Sequence, residues 1–252
     1  MAWSLHTKPD MYTPGYYKTN YCRLSLRELI RFRGLLLLPI TFILTRFKKP
    51  DGAVWMPGLW SDTNCANTDL SGRFWQATEP HRQIFVRLGF SECKHSMVKN
   101  HLNPLYRDNG GIIYLHSNRS HIGMLIYAKL HLSPPIDRDV EHMTIAFTAA
   151  FASGAASCTN TKDRYDHLPG REVTKVPSND PAFIYARFLE KLKHCAQTPL
   201  DFPNRDSLQR WFDANQIEIF ESRVKRKLFI QMSDHEVEEA RRRLLAVPPP
   251  LK

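Results

Sequence analysis

The sequence predicts an α+β fold, an antiparallel β-meander of about four or five strands packed by helices, with three C-terminal helices. Two stretches of alternating apolar residues, each interrupted by a short turn, lie in the first two thirds of the chain. Three amphipathic stretches with helix-start signals follow them. Strands that come first and helices that come last favour α+β over alternating βαβ units. We expect the helices to cover one face of the sheet.

The clearest hairpin spans residues 111–130, with Ser117–Ser120 as a four-residue connection. Cross-strand neighbours on one face interact directly, so a correct register should match apolar residues with apolar residues. Closing the hairpin at His116 and His121 satisfies this condition. That register pairs Leu115 with Ile122 and Ile113 with Met124.

A second hairpin is predicted around the turn dipeptide Ser153-Gly154, between strands over residues 143–151 and 155–161. Residues 90–98 are a candidate for a further strand. The predicted pairs of the second hairpin are Phe151 with Ala156 and Ala149 with Cys158. Its other face carries Thr148, Ser157 and Thr159, which we expect to be in solvent.

Helix-start signals mark four places after residue 74. A proline in the first turn needs no hydrogen-bond partner, and a Ser or Asp before the helix caps its free N–H groups. In chain order the signals are Glu79-Pro80, Asp180-Pro181, Asp206 or Ser207, and Ser233 with Glu236. Gly89 is expected to end the first helix, and Val247–Pro250 to end all regular structure.

Charge is distributed unevenly along the chain. The sequence carries 35 Lys and Arg against 25 Asp and Glu, for a net charge of +10. Residues 1–50 hold nine of the basic residues and two of the acidic ones, and so account for +7. The rest is nearly balanced, which disfavours nucleic-acid binding by the body of the protein. An apolar share of 42% and a charged share of 24% exclude bulk disorder, collagen and coiled coil.

The basic N-terminal region also contains the most apolar run of the chain, residues 34–45. Ser25 and Glu28 have capping-box spacing, so a helix is expected to begin near Leu26, and Pro39 to kink or end it. A helix of about twelve residues is about 18 Å long, too short for a hydrocarbon core about 30 Å thick. Basic flanks around a short apolar run are typical of a segment in the cytoplasmic face of a membrane.

Two interpretations of this segment are open. It either contacts an anionic membrane surface or is an ordinary buried core element. The residues that would contact the membrane are Arg31, Arg33, Leu35, Leu36, Leu37, Leu38, Phe42, Arg46, Lys48 and Lys49. We divide the chain into a basic arm over residues 1–50, a linker or extended arm over 51–74, and an α+β domain over 75–252.

Short catalytic and cofactor-binding motifs are absent from the sequence. It has no GxGxxG or GxxxxGK[ST] phosphate loop, no HExxH metal-binding helix and no GxSxG nucleophile turn. Five cysteines without CxxC spacing favour neither a disulfide framework nor a structural zinc site. We expect Cys158 to be a buried thiol rather than a nucleophile. The sequence therefore predicts no metal and no cofactor.

Two groups of polar residues are candidates for a ligand-binding site. His116 and His121 are expected to face solvent across the first hairpin, close enough to share a ligand. Asp163, Asp166 and His167 lie in a polar loop after the second hairpin, where binding residues are often found. Each group also has an ordinary explanation, as turn-flanking histidines and as a long strand-to-helix connection.

These observations favour a non-enzymatic binding or scaffold protein, cytoplasmic and peripherally associated with a membrane through its N-terminal arm. Its expected partners are an anionic membrane surface or another protein. The first alternative is an enzyme of unidentified reaction that uses residues 163–167 with His116 and His121. The second is a nucleic-acid-binding protein, although the basic clusters Lys225–Lys227 and Arg241–Arg243 have acidic neighbours.

Overall fold

The fold is given by a computed structural model, which describes residues 15–25, Glu28, 51–55, 63–97, 106–132, 138–161 and 170–245. The strands are β1 (Tyr17–Thr19), β2 (Asp51–Trp55), β3 (Phe90–Ser96), β4 (Tyr106–His116), β5 (His121–Leu132), β6 (Arg138–Phe151), β7 (Gly154–Thr159), β8 (Arg171–Lys175) and β9 (Phe229–Gln231). The α-helices are α1 (Gly72–Arg87), α2 (Pro181–Lys193), α3 (Arg205–Lys225) and α4 (Asp234–Leu245). Short 3₁₀ helices occupy Tyr21–Arg23 and Asn67–Asp69.

Strands β3 to β8 form one six-stranded sheet whose spatial order follows the chain. The first five are antiparallel neighbours, and β8 adds to β7 in parallel. The predicted α+β class is confirmed, and the sheet is larger than predicted. Strand β8 has a single large apolar residue, Val173, and its parallel pairing needs a crossover instead of a turn. No hairpin signal could therefore reveal it.

The register predicted for the first hairpin is confirmed. Ile113 pairs with Met124, and Leu115 pairs with Ile122. The candidate strand over residues 90–98 is also present, as β3 at the edge of the sheet. Alternation of apolar side chains was therefore sufficient to align β4 with β5.

The register predicted for the second hairpin is wrong by two residues. Phe151 pairs with Gly154, so the two-residue turn is Ala152-Ser153 and Gly154 begins strand β7. Because side chains alternate along a strand, a shift of two leaves each residue on its predicted face. Phe147 and Cys158 accordingly remain together on the core side.

Helices pack on both faces of the six-stranded sheet, so the expectation of one covered face is wrong. One face carries the large aromatic core, which includes Phe147 and packs against α1 and α2. The opposite face carries Ile113 and Ile122 and packs against Phe202 and the first turns of α3. Thr148, expected in solvent, is buried on this second face, where its hydroxyl lies 2.8 Å from that of Ser157. Thr159 is buried as well.

Helix α1 begins earlier than predicted. Ser71 is its N-cap, with Oγ accepting a hydrogen bond of 2.9 Å from the backbone N–H of Phe74, and Pro80 lies inside the helix. Gly89 follows the helix with φ of +87°, a conformation that glycine adopts without strain. The longer helix buries both Phe74 and Phe85 in the aromatic core.

The starts of the C-terminal helices largely follow the prediction. Asp180 caps α2, with Pro181 as the first helical residue. Helix α3 is capped by Asn204 rather than by Asp206 or Ser207, and Ser207 completes its capping box from the third helical position. The predicted capping box of α4 is present, because the Glu236 carboxylate accepts a hydrogen bond of 3.0 Å from the backbone N–H of Ser233.

A second, three-stranded sheet pairs strands from the N-terminal region with a strand from the C-terminal region. Its order is β2-β1-β9, with both pairings antiparallel. Its small core contains Tyr17 from β1, Phe220 from α3 and Phe229 from β9. Residues 17–25 of the predicted arm therefore pack against the C-terminal part of the protein.

Candidate functional site

His116 and His121 are neighbours across the closed end of the first hairpin, as predicted, with ring centroids 5.5 Å apart. The prediction that they face solvent is wrong. Their rings make edge contacts with Phe90 at 4.9 Å and with Phe188 at 5.3 Å, on the sheet face that α1 and α2 cover. Both histidines are partly buried.

The hydrogen bonds around His121 determine which ring nitrogen carries its proton. The Asn118 side-chain oxygen accepts from the backbone N–H groups of Ser120 and His121, at 3.1 and 3.2 Å. The amide nitrogen of Asn118 therefore faces His121 Nδ1, at 3.1 Å, and donates to it. Tyr185 Oη lies 2.8 Å from the same nitrogen. The neutral ring thus accepts at Nδ1 and carries its proton on Nε2.

Burial keeps both members of the His121–Tyr185 pair uncharged at neutral pH. It lowers the pKa of His121 to about 4, with repulsion from His116 as the smaller cause. It also raises the pKa of Tyr185 to about 12. A base of such low pKa takes up a proton poorly near neutrality. The His121–Tyr185 hydrogen bond is better suited to holding α2 against the end of the hairpin than to acid–base catalysis.

Neither Cys158 nor a cluster of metal ligands forms a reactive centre in the described residues. Cys158 is buried in the aromatic core, and burial raises the pKa of its thiol. Over the ranges that the structure describes, no group of three or more His, Cys, Asp and Glu residues is placed to hold a metal ion. The pair of histidines accordingly has no third ligand within those ranges.

Several predicted site residues lie outside the described residues. They are Asp163, Asp166 and His167 of the polar loop, and Arg31, Arg33, Leu35, Leu36, Leu37, Leu38, Phe42, Arg46, Lys48 and Lys49 of the arm. The structure does describe the chain on either side of residues 29–50, at β1 and Glu28 before them and at β2 after them.

The chain just before the apolar segment is fixed to the C-terminal part of the protein by the buried carboxylate of Glu28. The predicted capping box is present, with the Glu28 carboxylate accepting a hydrogen bond of 2.7 Å from the backbone N–H of Ser25. Both oxygens of Glu28 also accept from Arg226 Nη2 at 2.7 Å. The Glu28 side chain is only 3% exposed, so this ion pair is well shielded from solvent.

The described chain before and after the apolar segment belongs to the same small sheet. Thr19 on β1 pairs with Asp51 on β2, and Asn20 donates a hydrogen bond of 2.8 Å to the Leu228 carbonyl. The chain that leaves β1 therefore returns to its neighbouring strand. Three exposed basic residues lie on the elements that form this junction, namely Arg23, Lys225 and Lys227.

Sequence reasoning missed Tyr185 and Arg226 for different reasons. Tyr185 adjoins Ile184 in α2, and both are buried, so the sequence gives no reason to distinguish Tyr185 from an ordinary core residue. Arg226 stood in a mixed-charge run that resembled an ordinary solvated surface. Its buried partner lies 198 positions away in the chain, so no local pattern could reveal it.

No protein-family model, curated protein or solved structure matches this chain. Within the ranges described, no helix is both long enough and apolar enough to span a bilayer. The function therefore has to be inferred from the geometry and charge of the molecule.

Proposed function

We propose that this chain is a non-enzymatic binding or scaffold protein that docks peripherally on an anionic, cytoplasmic membrane surface through residues 31–49. The observation that carries the proposal is the pairing of β1 with β2, which brings the chain before the segment, at Thr19, next to the chain after it, at Asp51. A segment attached in this way enters and leaves a membrane from the same side. Such a connection suits an interfacial segment rather than a spanning one.

Charge around the junction supports the same proposal. The segment itself has Arg31 and Arg33 before its apolar run and Arg46, Lys48 and Lys49 after it. The exposed Arg23, Lys225 and Lys227 add positive charge on the folded surface of the described part of the protein. A basic side chain close to an anionic bilayer contributes about 1 kcal/mol of attraction, so several of them bind appreciably.

A non-enzymatic role is supported by how the most promising titratable residues are used. His121 Nδ1 is occupied by hydrogen bonds to Asn118 and Tyr185, and all three residues help to close a hairpin and hold α2. These hydrogen bonds stabilise the fold. The surface around Arg23, Lys225 and Lys227 is therefore a better candidate for the binding surface than the histidine pair.

Co-sedimentation with vesicles tests the proposal on the full chain. We expect the protein to pellet with vesicles of phosphatidylcholine and phosphatidylserine, and much less with phosphatidylcholine alone or in high salt. Replacing Leu36 and Leu37 together with Glu should leave a folded protein in the supernatant. The matched control places the same charges on the body, with Val86→Glu and Leu189→Glu, at side chains that are 62% and 37% exposed.

Three outcomes contradict the proposal. The parent chain stays in the supernatant, or the Leu36/Leu37 variant pellets as well as the control, or that variant unfolds because the segment is core. Preferential binding of the parent to duplex DNA or RNA over vesicles would favour the nucleic-acid alternative. A truncation at residue 51 is a poorer test, because it removes β1 and leaves Arg226 without Glu28.

A further inference from the structure

A polar groove of about 620 Å³ lies at the outer edge of the six-stranded sheet. Residues 63–65 cover part of edge strand β3, through hydrogen bonds from Met97 N–H to the Thr63 carbonyl and from Cys65 N–H to the His95 carbonyl. The chain then turns away into the 3₁₀ helix Asn67–Asp69. The groove lies where this cover ends, and its lining residues are Asn64, Cys65, Ala66, Asn67, Asp69, Glu92, Cys93, Lys94, His95 and Arg205.

A bulge in β3 shapes the groove. The pairing with β4 shifts between Glu92 and Lys94, so Cys93 is the extra residue of the strand. Bulges re-aim side chains and are frequent beside functional sites. Here the lining includes Lys94, which is only 4% exposed.

The acidic residues of the groove are already engaged within the protein. Glu92 accepts a hydrogen bond of 2.9 Å from Arg82 Nε and lies 3.1 Å from His95 Nε2. Asp69 accepts a hydrogen bond of 3.2 Å from the backbone N–H of Ala66. Burial raises the pKa of the Cys93 thiol and so keeps it neutral. The negative charge of Glu92 is thus balanced by the Arg82 guanidinium.

Arg205 differs from these residues because most of its donors are unused. It is the first residue of α3 and is exposed on the rim of the groove. Its guanidinium makes one long hydrogen bond, from Nη2 to Asn64 Oδ1 at 3.4 Å, and has no carboxylate partner in the part of the chain that is described. A guanidinium has five N–H donors in a planar fork that matches a carboxylate or phosphoryl group.

We propose that this groove binds a small organic anion, whose carboxylate or phosphoryl group is held by Arg205. The side chains of Asn64 and Asn67 add neutral hydrogen-bonding groups to the lining. A volume of about 620 Å³ is typical of small-molecule sites. The N-terminal end of α3 carries a partial positive charge and therefore also favours an anion.

Nuclear magnetic resonance titration of the full chain tests the groove directly. The probes are succinate for the carboxylate source and inorganic phosphate for the phosphoryl source, with ionic strength held constant by sodium chloride. We expect at least one probe to cause saturable shifts of the backbone amides of Asn64, Asn67, Lys94 and His95. Arg205→Gln should weaken that binding about tenfold, because a charge-assisted hydrogen bond is lost.

Arg210→Gln is the matched control, since Arg210 is exposed on the same helix and is not part of the groove lining. It removes the same charge and should leave the affinity unchanged. Binding of succinate alone assigns the groove to carboxylates, and binding of phosphate alone assigns it to phosphoryl compounds. The proposal fails if neither probe gives saturable shifts at the groove, or if both variants bind as the parent does.

Discussion

The two sheets of this protein are assembled in opposite ways. In the six-stranded sheet, each strand from β3 to β7 pairs with the next one along the chain. Its core is aromatic, with Phe85 stacked on Tyr114 at 4.4 Å and on Phe147 at 5.0 Å. In the three-stranded sheet, β1 lies between β2 and β9, so the N-terminus pairs with a strand close to the C-terminal helix.

The small sheet is held by ion pairs between residues that are far apart in the chain. The ion pair of Glu28 with Arg226 joins residues 198 positions apart, and that of Lys18 with Glu236 joins residues 218 positions apart. Closing such long separations costs more chain entropy than forming a hairpin does. We therefore expect the large sheet to determine the global stability and the small sheet to open separately. The following substitutions test this difference.

The largest effect should come from the aromatic core. Phe147 is fully buried and contacts the rings of Phe85, Phe90 and Tyr185. Phe147→Ala leaves a cavity and should lower the free energy of unfolding by about 3–5 kcal/mol in urea denaturation. Phe183→Ala, at a side chain that is 44% exposed, is the control and should change it by no more than about 0.5 kcal/mol. Similar losses for the two variants would contradict this view of the core.

The large sheet was also the part that the sequence could predict. Apolar alternation set the register around His116 and His121, because both strands and their turn are contiguous in the chain. The capping signals of Asp180 and Ser233 are equally local. The same pattern could not show that both sheet faces are covered, because a polar residue such as Thr148 looks the same whether it meets water or a serine.

The candidate site was predictable only where it is local. The pairing of His116 with His121 followed from the register, but their burial depended on α2, which brings Tyr185 to His121. The groove depended on contacts between Asn64, β3 and Arg205, which are distant in sequence. Sequence patterns contain no signal for such assemblies, so those features required the three-dimensional structure.

The next largest effect is a pH dependence that also belongs to the large sheet. The pKa of His121 is about 4 in the folded state, below the ordinary 6.5 that we assume for the unfolded chain. As the pH falls below 6.5, the unfolded state takes up a proton that folded His121 does not accept. Stability is thus lost between pH 6.5 and about 4, by up to about 3 kcal/mol, and is fully retained above pH 6.5.

Urea denaturation at several pH values measures this contribution. His121→Gln removes the titrating group, so its free energy of unfolding should fall less between pH 7 and pH 4 than that of the parent. His142→Gln removes an exposed imidazole from β6 and serves as the matched control. An unchanged pH slope in His121→Gln would show that His121 is not the group responsible.

A smaller and more local effect is expected for the buried ion pair of the small sheet. Glu28→Gln removes the charge that Arg226 binds and should cost about 2 kcal/mol, a typical value for charge-assisted hydrogen bonds. Hydrogen exchange should accelerate at Thr19 and Asn20 and stay unchanged at Ile113 in the large sheet. In a double-mutant cycle, Arg226→Gln should add less in the Glu28→Gln background than alone. Faster exchange at Ile113 would mean that the two sheets open together.

The smallest effect should come from the ion pair of Lys18 with Glu236, whose side chains are 21% and 36% exposed. Pairs this close to solvent contribute about 0.2–1 kcal/mol, and added salt weakens them. Lys18 lowers the pKa of Glu236, with a smaller contribution from Ser233. Lys18→Gln should therefore raise the pKa of Glu236 in a carboxyl NMR titration and make exchange in β1 less sensitive to salt. Because Ser233 still caps α4, the helix should remain intact, and its loss would show that Lys18 stabilises more than the small sheet.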